Sequence, residues 1–368
     1  MIASRMYGLD SSGIRKVFDL AQKMKNPVNL SIGQPDFDVP EAIKKEAVNA
    51  ISSGANRYTM TQGIPELRER CLRHAQKTYG ILSDNIMITC GVSGGATLAF
   101  LVLVNPGDEI LIPDPYFGMY KYLTKLCGGT PKFISTYPDF KLTAEHILAQ
   151  ITPQSKILIL NSPANPTGAI CNSGEIKDIV EVARKHDLII ISDEIYRDFI
   201  YDEHFESIGK FYEKTVTLGG FSKSHAVTGW RIGFAIGPAE IISEMIKLQQ
   251  YTFVCAPSFA QIAISKTIDH DIDEHIKGYK RKRDLIYDKL KGLYNVTRPK
   301  GAFYLFPQVS WGTGQEFVTE AIKRNLLIIP GSVFSEQDTH FRISYAASDE
   351  AIEKGIEILV GLAKDKKQ

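Results

Sequence analysis

The sequence predicts an α/β fold in which helices cover both faces of a mostly parallel β-sheet. From about residue 86 onward, short apolar runs alternate with stretches of helical periodicity, as in chains built from strand–helix units. Polar motifs rich in glycine and proline follow directly after these runs, where parallel sheets bind their ligands. The predicted strands are residues 86–89, 109–112, 156–160, 188–192, 215–218 and 232–236.

Amphipathic helices are predicted before, between and after these strands. They cover residues 14–24, 41–52 and 173–186, and a longer helical region covers residues 240–291. Ile51 belongs to the predicted buried face of the second helix, and Ser173 is the predicted N-cap of the third.

The C-terminal part has the pattern of a small α+β unit. It consists of two strand-like runs, residues 326–330 and 341–345, and a helix that begins at Asp349. We therefore expect residues 41–285 to form a large domain. Residues 1–40 and 286–368 together are expected to form a smaller one.

Composition excludes several classes of function. The 43 basic and 42 acidic residues give a net charge of +1, so no broad electrostatic field favours nucleic acid or an anionic membrane. The five cysteines form no CxxC pair, which indicates neither a disulfide framework nor a zinc cluster. The first 13 residues lack the apolar core of a signal peptide, and no apolar run approaches the roughly 20 residues that span a bilayer. We expect a cytoplasmic protein without a nucleic-acid or membrane partner.

The most informative stretch is FSKSHAVTGWRIG, residues 221–233. Arg231 can grip a phosphate dianion with its planar guanidinium, and Ser222 can add a hydroxyl. Lys223 then remains free to condense with an aldehyde. An aldehyde that carries its own phosphate describes pyridoxal phosphate (PLP). A Ser-Lys pair on its own is usually a solvated surface pair, so this interpretation depends on the other motifs.

The loops that follow the predicted strands contain three residues that suit the ring of such a cofactor. Asp193 ends an apolar run, and a carboxylate beside the pyridine nitrogen would keep that nitrogen protonated. Tyr196 and Asn165 could both reach the phenolic oxygen of the ring. Taken alone, Asp193 is more typical of a helix N-cap, and Asn-Pro-Thr-Gly is typical of an ordinary turn. Tyr196 could equally be a packed tyrosine at the start of a helix. We predict that one of the two X-Pro bonds in residues 161–168 is cis, and we favour Asn165-Pro166.

The segment GVSGG, residues 91–95, lies between a predicted strand and a helix. Amide groups at a helix start together with the Ser93 hydroxyl would form an anion cradle, although a plain glycine-rich turn is the alternative. Aromatic residues of the segment 114–120 could stack on a flat ring, whereas core packing is the expectation for Tyr120. Arg342 lies inside a strand-like run, where its partner is either a substrate carboxylate or a structural salt bridge.

Together, the motifs carry a resemblance that covers essentially the whole chain. In order they are IGQPDFDVP, RYTMTQG, the GVSGG cradle, NSPANPTG, SDEIY, SK with GWRIG, KGAFY, IPGSVF and FRISYA. This series resembles the aspartate and aromatic amino acid branch of the class I/II aminotransferases, which are fold type I PLP enzymes. The resemblance implies a large domain with a mostly parallel seven-stranded sheet. It also implies a homodimer with shared active sites.

The resemblance also implies roles for individual residues. Lys223, Asp193 and Tyr196 would be catalytic, and Gly33, Asn165 and Arg342 would bind the substrate. The cofactor-binding set would be Tyr58 from the neighbouring subunit, Val92, Ser93, Gly94, Phe117, Asn165, Asp193, Tyr196, Ser222, Lys223 and Arg231. Phe117 is preferred to Tyr116 because it occupies the stacking position of the family.

The implied activity moves the α-amino group of aspartate or an aromatic L-amino acid to a 2-oxo acid such as 2-oxoglutarate, in a ping-pong cycle between PLP and pyridoxamine phosphate. Gly94 stands where relatives usually carry a longer polar residue, which argues against a strict preference for aspartate. One alternative is a PLP-dependent C–S β-lyase. Another is a non-catalytic PLP-binding regulator, which the roughly 30 residues before the Gly33 loop disfavour because they are too few for a DNA-binding module.

Overall fold

A seven-stranded β-sheet forms the centre of the fold in this computed structural model, which describes residues 1–10 and 13–365. The strands are β1 Val28–Asn29, β2 Ile86–Thr89, β3 Glu109–Asp114, β4 Thr130–Ser135, β5 Ser155–Asn161, β6 Ile189–Asp193, β7 Thr215–Gly220, β8 Gly233–Ile236, β9 Tyr304–Leu305, β10 Leu326–Leu327, β11 Ile329–Pro330 and β12 Phe341–Ser344. The large sheet has the order β2-β8-β7-β6-β5-β3-β4, and β8 runs opposite to the other six strands. The predicted mostly parallel sheet is confirmed.

Helices pack on this sheet and on the smaller sheets. They are α1 Gly13–Ala21, α2 Glu41–Ser52, α3 Pro65–Tyr79, α4 Gly91–Leu103, α5 Met119–Leu126, α6 Ala144–Leu148, α7 Ser173–Lys185, α8 Ala239–Thr252, α9 Ser258–Thr267, α10 Asp273–Leu290, α11 Gly314–Lys323 and α12 Asp349–Lys364. Separate apolar clusters fill the space on either side of the central strands. Among the described helices, none combines the length and the apolar character needed to cross a membrane.

The two ends of the chain meet in two small sheets. Strand β1 pairs with β10 in parallel, and β11, β12 and β9 form an antiparallel three-stranded sheet. Helices α10 to α12 cover these strands through an apolar cluster that includes Leu30, Phe303 and Leu359. The N-terminal segment therefore packs with the C-terminal part, whereas the boundaries predicted at residues 40 and 285 stay a prediction.

The structure corrects the sequence-based expectations at several elements. Strand β4 was missed because it lies at the edge of the sheet, is partly exposed and contains Pro131, so it lacks a continuous apolar run. The N-cap of α7 is Asn172 rather than Ser173, since Asn172 and Glu175 form a capping box. Ile51 is 47% exposed and does not belong to the buried face of α2. The helical region 240–291 is three helices, α8 to α10.

The Asn165-Pro166 bond is cis, as predicted, and so is the neighbouring Ser162-Pro163 bond. Both lie in the turn after β5.

Candidate active site

A cavity of about 430 Å³ opens at the carboxyl ends of β3, β5, β6 and β7. Because these four strands run parallel, the loops that follow them meet at one edge of the sheet. The first turn of α4, helix α1 and strand β12 complete the walls. The predicted site residues that line this cavity are Gly33, Val92, Ser93, Phe117, Asn165, Asp193, Tyr196, Ser222, Lys223, Arg231 and Arg342.

The structure places the other two predicted residues elsewhere. Tyr58 and Gly94 line a more open hollow of about 1280 Å³ next to the cavity. The two spaces share Ser93 and Arg231. The side chain of Tyr58 is 83% exposed, so within one chain it lies beside the cavity rather than in it.

Lys223 follows β7 and its amine points into the cavity. Its Nζ donates to the carbonyl oxygen of Gly33 at 2.6 Å and lies 5.8 Å from the centre of the Tyr196 ring. Burial lowers the pKa of Lys223 to about 8, and the positive charges of Arg342 and Arg231 act in the same direction. A much larger fraction of this amine is therefore neutral near neutral pH than for an ordinary lysine.

Asp193 is the last residue of β6 and is 3% exposed. One carboxylate oxygen accepts a hydrogen bond from the hydroxyl of Tyr120 at 2.7 Å, and the other accepts one from the amide of Ile195 at 3.2 Å. Burial raises the pKa of Asp193, and the hydrogen bond from Tyr120 opposes this shift. No cationic side chain of the described residues forms an ion pair with it, so a cationic ligand would stabilise the carboxylate.

Tyr196 and Tyr304 join the cavity to the small sheets. Their hydroxyl oxygens are 2.7 Å apart and hydrogen-bonded, and burial raises the pKa of both phenols. A Cβ atom on Gly33 would lie 2.3 Å from the Tyr304 hydroxyl oxygen. Only glycine therefore fits at position 33 without displacing Tyr304.

Arg342 lies on β12 and is 1% exposed. Its guanidinium donates to Asn165 Oδ1 at 3.0 Å and to the carbonyl of Ser31 at 2.6 Å. The ring centres of Tyr304 and Phe334 each lie 4.6 Å from the guanidinium carbon. Its Nε atom is buried without a hydrogen-bond partner. Within residues 1–10 and 13–365, no carboxylate forms a salt bridge with Arg342. Such a buried cation suits a carboxylate ligand.

The opposite end of the cavity suits a phosphate. Helix α4 begins at Gly91, and its N-cap residue Cys90 makes no side-chain capping hydrogen bond, which leaves the first-turn amides to a ligand. Arg231 adopts a left-handed backbone conformation with φ of 52°. A Cβ atom on Gly91 would lie 2.6 Å from Arg231 Nη2, so the guanidinium packs directly on the glycine backbone at the helix start. Ser93 and Ser222 add hydroxyl groups there.

Aromatic side chains form the wall between these two ends. Phe117 lines the cavity and contacts Tyr120 edge-to-face, with ring centres 6.1 Å apart. Tyr116 instead stacks on Phe133 with centres 5.0 Å apart and does not line the cavity. The preference for Phe117 over Tyr116 as a stacking residue is thus compatible with their positions.

Some lining residues carried no functional expectation in the sequence. Tyr120 was expected only in the core; it is buried there, but it also holds Asp193. Tyr304 lies in the motif KGAFY, which was part of the resemblance without a role for the tyrosine. Ile14, Arg15, Asn161 and Thr228 also line the cavity. The first two lie on α1, and nothing in the pattern of an amphipathic helix indicates that it reaches a ligand site.

The residues present fit pyridoxal phosphate in each of its parts. A lysine amine with a lowered pKa suits the aldehyde, an acid without a cationic partner suits the pyridine nitrogen, and an uncapped helix start with an arginine suits the phosphate. The buried, incompletely paired Arg342 leaves room for the carboxylate of a substrate in the same cavity.

Comparisons with known proteins agree with this chemistry. The family model for aminotransferase class I and II matches residues 25–359. A probable aspartate aminotransferase from Methanocaldococcus jannaschii is 39% identical, with 98% of this chain and 99% of that protein covered. An aromatic-amino-acid aminotransferase from Thermococcus litoralis is 36% identical, with coverage of 100% and 99%. The crystal structure of an aromatic aminotransferase from Pyrococcus horikoshii superposes with a TM-score of 0.90 at 34% identity, covering 95% of this chain and 99% of that one.

These similarities confirm the resemblance found in the ordered motifs, and with it the α/β fold and the transfer of amino groups. Members of this family use pyridoxal phosphate, in agreement with the cavity residues. The chain belongs to the class I and II aminotransferases and is a PLP-dependent transferase of amino groups.

Proposed function

We propose that this aminotransferase moves the α-amino group of aspartate or of an aromatic L-amino acid to a 2-oxo acid such as 2-oxoglutarate. Relatives named for aspartate and for aromatic amino acids are similarly close to this chain, at 39% and 36% identity. The single observation that carries the proposal is the buried guanidinium of Arg342 in the same cavity as the amine of Lys223. This pairing supplies a carboxylate site beside a reactive amine.

We further propose how the chain holds its cofactor. Lys223 binds the aldehyde carbon, Asp193 lies at the pyridine nitrogen, and Phe117 stacks against the ring. Asn165 Oδ1 already accepts from Arg342, so the amide NH₂ of Asn165 is available, with Tyr196, to donate to the phenolic oxygen of the ring. The phosphate is held by Ser93, Ser222 and Arg231 with amides of the first turn of α4, those of Val92 or Gly94. Bound PLP supplies an electron sink for the bond that breaks at the substrate Cα.

The chain's own residues then provide binding and proton transfer. Arg342 binds the substrate α-carboxylate with its planar guanidinium, and the Gly33 loop lies against the same group. Lys223 Nζ takes the proton from the substrate Cα and later returns a proton to the product. Because its pKa is lowered to about 8, the neutral amine is available as a base at physiological pH.

A homodimer with shared active sites is also part of the proposal. Ser93 and Arg231, at the phosphate end, open into the neighbouring hollow and are exposed in a single chain. Two large exposed side chains line that hollow, Tyr58 with 83% and Phe253 with 39% exposure. Such a patch favours a protein partner, and a second copy would bring its own Tyr58 to the open phosphate end. We place the dimer in the cytoplasm, where five unpaired cysteines are ordinary.

Sedimentation of the holoenzyme at micromolar concentration tests the dimer. A dimer is expected, and Tyr58→Phe should retain it while it binds PLP about tenfold less tightly, because one hydrogen bond to a charged group is lost. A monomer with full activity would contradict shared sites. Tyr287→Phe, a change far from the hollow, is the matched control.

A panel of amino donors with 2-oxoglutarate tests the reaction. Aspartate, tyrosine and phenylalanine should convert the yellow, PLP-loaded protein to its pyridoxamine form and yield glutamate, whereas alanine should react more slowly. A parallel assay with cystathionine and no oxo acid tests the β-lyase alternative. Rapid release of pyruvate and ammonia there, with no glutamate formed from any donor, would overturn the proposed reaction.

A further inference from the structure

A second cavity, of about 450 Å³, adjoins the loops that follow β6 and β7. After β7, Lys223 lines the active-site cavity, whereas His225 lines the second one. After β6, Tyr196 lines the active-site cavity and Arg197 lines the second one. Among the described residues none lines both cavities, so the second is a separate space. Its volume lies within the range of small-molecule sites, roughly 300–1,000 Å³.

Arg197 brings a buried positive charge into this second cavity. The residue is 8% exposed, and its Nη1 atom is buried without a hydrogen-bond partner. The guanidinium carbon lies 4.3 Å from the ring centre of Tyr79 and 5.1 Å from that of Phe234, so two aromatic rings fix its position. Within the described part of the chain, no carboxylate forms a salt bridge with Arg197. A buried guanidinium nitrogen without an acceptor is costly, so this place favours an anionic group of a ligand.

The buried acid Glu194 does not supply that anionic group. Its Oε1 atom accepts hydrogen bonds from Ser192 at 2.9 Å and from Ser207 at 2.6 Å, while its Oε2 atom has no partner. Burial raises the pKa of Glu194 to about 7, although the charge of Arg197 opposes this shift. About half of these carboxyl groups are therefore protonated at pH 7, and the charge of Arg197 is not neutralised.

Asp198 places a negative charge beside Arg197. It is the next residue in the chain, it is half-buried and it lines the same cavity. One of its carboxylate oxygens accepts a hydrogen bond from the hydroxyl of Tyr79 at 2.9 Å. In residues 1–10 and 13–365, neither Arg197 nor any other cationic side chain forms an ion pair with Asp198. An arginine and an acid that adjoin without pairing can each bind the opposite charge of one ligand.

The rest of the wall decides which class of ligand fits. Three further acids line the cavity, namely Asp269, Asp271 and Asp273. Their charges disfavour a free dianion such as phosphate. Burial lowers the pKa of His225 to about 4, so this lining residue adds no positive charge at neutral pH. Apolar side chains also contribute to the wall, among them Phe221, Ile272 and Ile276.

We infer that this second cavity binds a free α-amino acid with an apolar side chain, at a site separate from the catalytic one. Arg197 binds the carboxylate, Asp198 binds the ammonium group, and the apolar wall contacts the side chain. The two charged groups of an α-amino acid are attached to the same carbon atom, which suits an arginine and an acid that follow each other in the chain. Amino acids are also the substrates and products of this family, so such a ligand is present wherever the enzyme works.

Binding of leucine tests this inference once the catalytic cavity has been blocked. Reduction with borohydride fixes PLP in that cavity, and Arg342→Gln removes the carboxylate site proposed there. Titration calorimetry of the reduced Arg342→Gln holoenzyme should show one leucine bound per chain. Absence of detectable binding for both leucine and phenylalanine in this protein would overturn the inference.

Two variants in the same background test the two charges. Arg197→Gln should weaken leucine binding about 10- to 100-fold, because one hydrogen bond between charged groups is lost. Asp198→Asn keeps an acceptor for Tyr79 and should weaken leucine binding by a similar factor. Arg184→Gln is the matched control, since this guanidinium also lies over a tyrosine, Tyr212, but outside the cavity. Thermal unfolding would show that each variant is folded, and Asp198→Asn alone is sufficient for the test.

Two analogues of leucine separate a ligand site from a structural role of Arg197. The first, 4-methylpentanoate, lacks the ammonium group, and the second, 3-methylbutylamine, lacks the carboxylate. Each should bind at least about tenfold less tightly than leucine. Arg197→Gln should weaken only the first and Asp198→Asn only the second. Equal affinity for all three compounds, or equal weakening of both analogues by either variant, would refute the inference.

Discussion

The two ends of the active-site cavity are built in different ways. The end that we propose for the cofactor consists of Asp193, Lys223, Ser222 and the first turn of α4, which all lie at or just beyond the ends of strands of one hydrogen-bonded sheet. The end that we propose for the substrate consists of α1, the Gly33 loop, Tyr304 and Arg342, which come from the two ends of the chain. There, Arg342 reaches the carbonyl of Ser31, 311 residues earlier. Contacts between residues so far apart in the sequence depend on how separate segments of the chain pack together.

This difference separates the chemistry from the choice of substrate. Strand ends in a continuous sheet fix the groups that hold a cofactor, because the whole ladder opposes a shift of any one of them. The substrate end can change through a helix turn or a loop without disturbing the sheet. Relatives at 39% and 36% identity are named for different amino acids, as expected if the second end varies more freely.

Lys223→Ala should have the largest effect, because it removes the group that we propose to bind the cofactor and to move the Cα proton. Transamination should fall by about four orders of magnitude or more, while PLP still binds non-covalently through the phosphate end. Borohydride should no longer fix PLP to the protein. Lys247→Ala, on the exposed face of α8, is the control and should remain active. Substantial turnover by Lys223→Ala would refute the proposed role.

Asp193→Asn tests the cofactor end by removing the charge of the carboxylate; it also removes one hydrogen bond, since an amide has a single acceptor oxygen for Tyr120 and Ile195. Asparagine keeps the shape and can still accept from Tyr120, but it no longer favours a protonated pyridine nitrogen. We expect kcat to fall about 100- to 1,000-fold with a small change in KM. Stopped-flow spectra of the half-reaction would measure it. Asp187→Asn, an exposed acid paired with Lys214, is the control. An unchanged kcat in Asp193→Asn would show that this acid does not face the ring.

Much of the cofactor end could be predicted from the sequence, for a physical reason. Apolar runs long enough to be buried strands mark their own ends, and polar residues just beyond parallel strands meet at one edge of the sheet. Local sequence patterns alone were therefore enough to predict that Asp193 and Lys223 lie close together. The hydrogen bond from Tyr120 to Asp193 was not predicted, because it depends on the orientation of α5 relative to β6.

The substrate end was less predictable. The close approach of Gly33 to Tyr304 and the position of Arg15 both depend on the packing of segments far apart in sequence. No local period encodes such packing. The position of Tyr58 was not predictable for a different reason. In the proposed dimer, Tyr58 of one subunit would reach the phosphate of the other, so neither the local sequence pattern nor the structure of a single chain places it there. The edge strand β4 and the N-cap Asn172 show that small local features are also missed when a more ordinary pattern lies beside them.

Arg342→Lys tests the substrate end without removing its charge. Lysine has no planar fork and cannot donate to Asn165, to Ser31 and to a carboxylate at once. We expect KM to rise about 100-fold for every amino acid substrate, monocarboxylic or dicarboxylic, with a smaller change in kcat. Steady-state kinetics would measure this, and thermal unfolding would show whether the fold is retained. Arg298→Lys, on the surface beside Asp284, is the control. A rise confined to dicarboxylic substrates would contradict the role proposed for Arg342.

The smallest expected effect connects the two ends, because the pKa of Lys223 depends on both. Burial and the charges of Arg342 and Arg231 lower this pKa to about 8, and only the neutral amine attacks an aldehyde. Covalent attachment of PLP to the cofactor-free protein should therefore speed up as pH rises, reach half of its maximal rate near pH 8 and level off about one pH unit higher. Between pH 7 and pH 8 the neutral fraction grows from about one tenth to one half, so the rate should rise about fivefold.

Arg342→Gln removes one of the two cations that lower this pKa, and the midpoint of the rate profile should move to higher pH. Absorbance during mixing with PLP would record both profiles. A wild-type rate that keeps rising toward pH 10, as for an ordinary lysine, would show that neither burial nor the arginines act on this amine. An unchanged midpoint in Arg342→Gln would instead show that the substrate end does not tune the lysine, and the two ends would then be electrostatically independent.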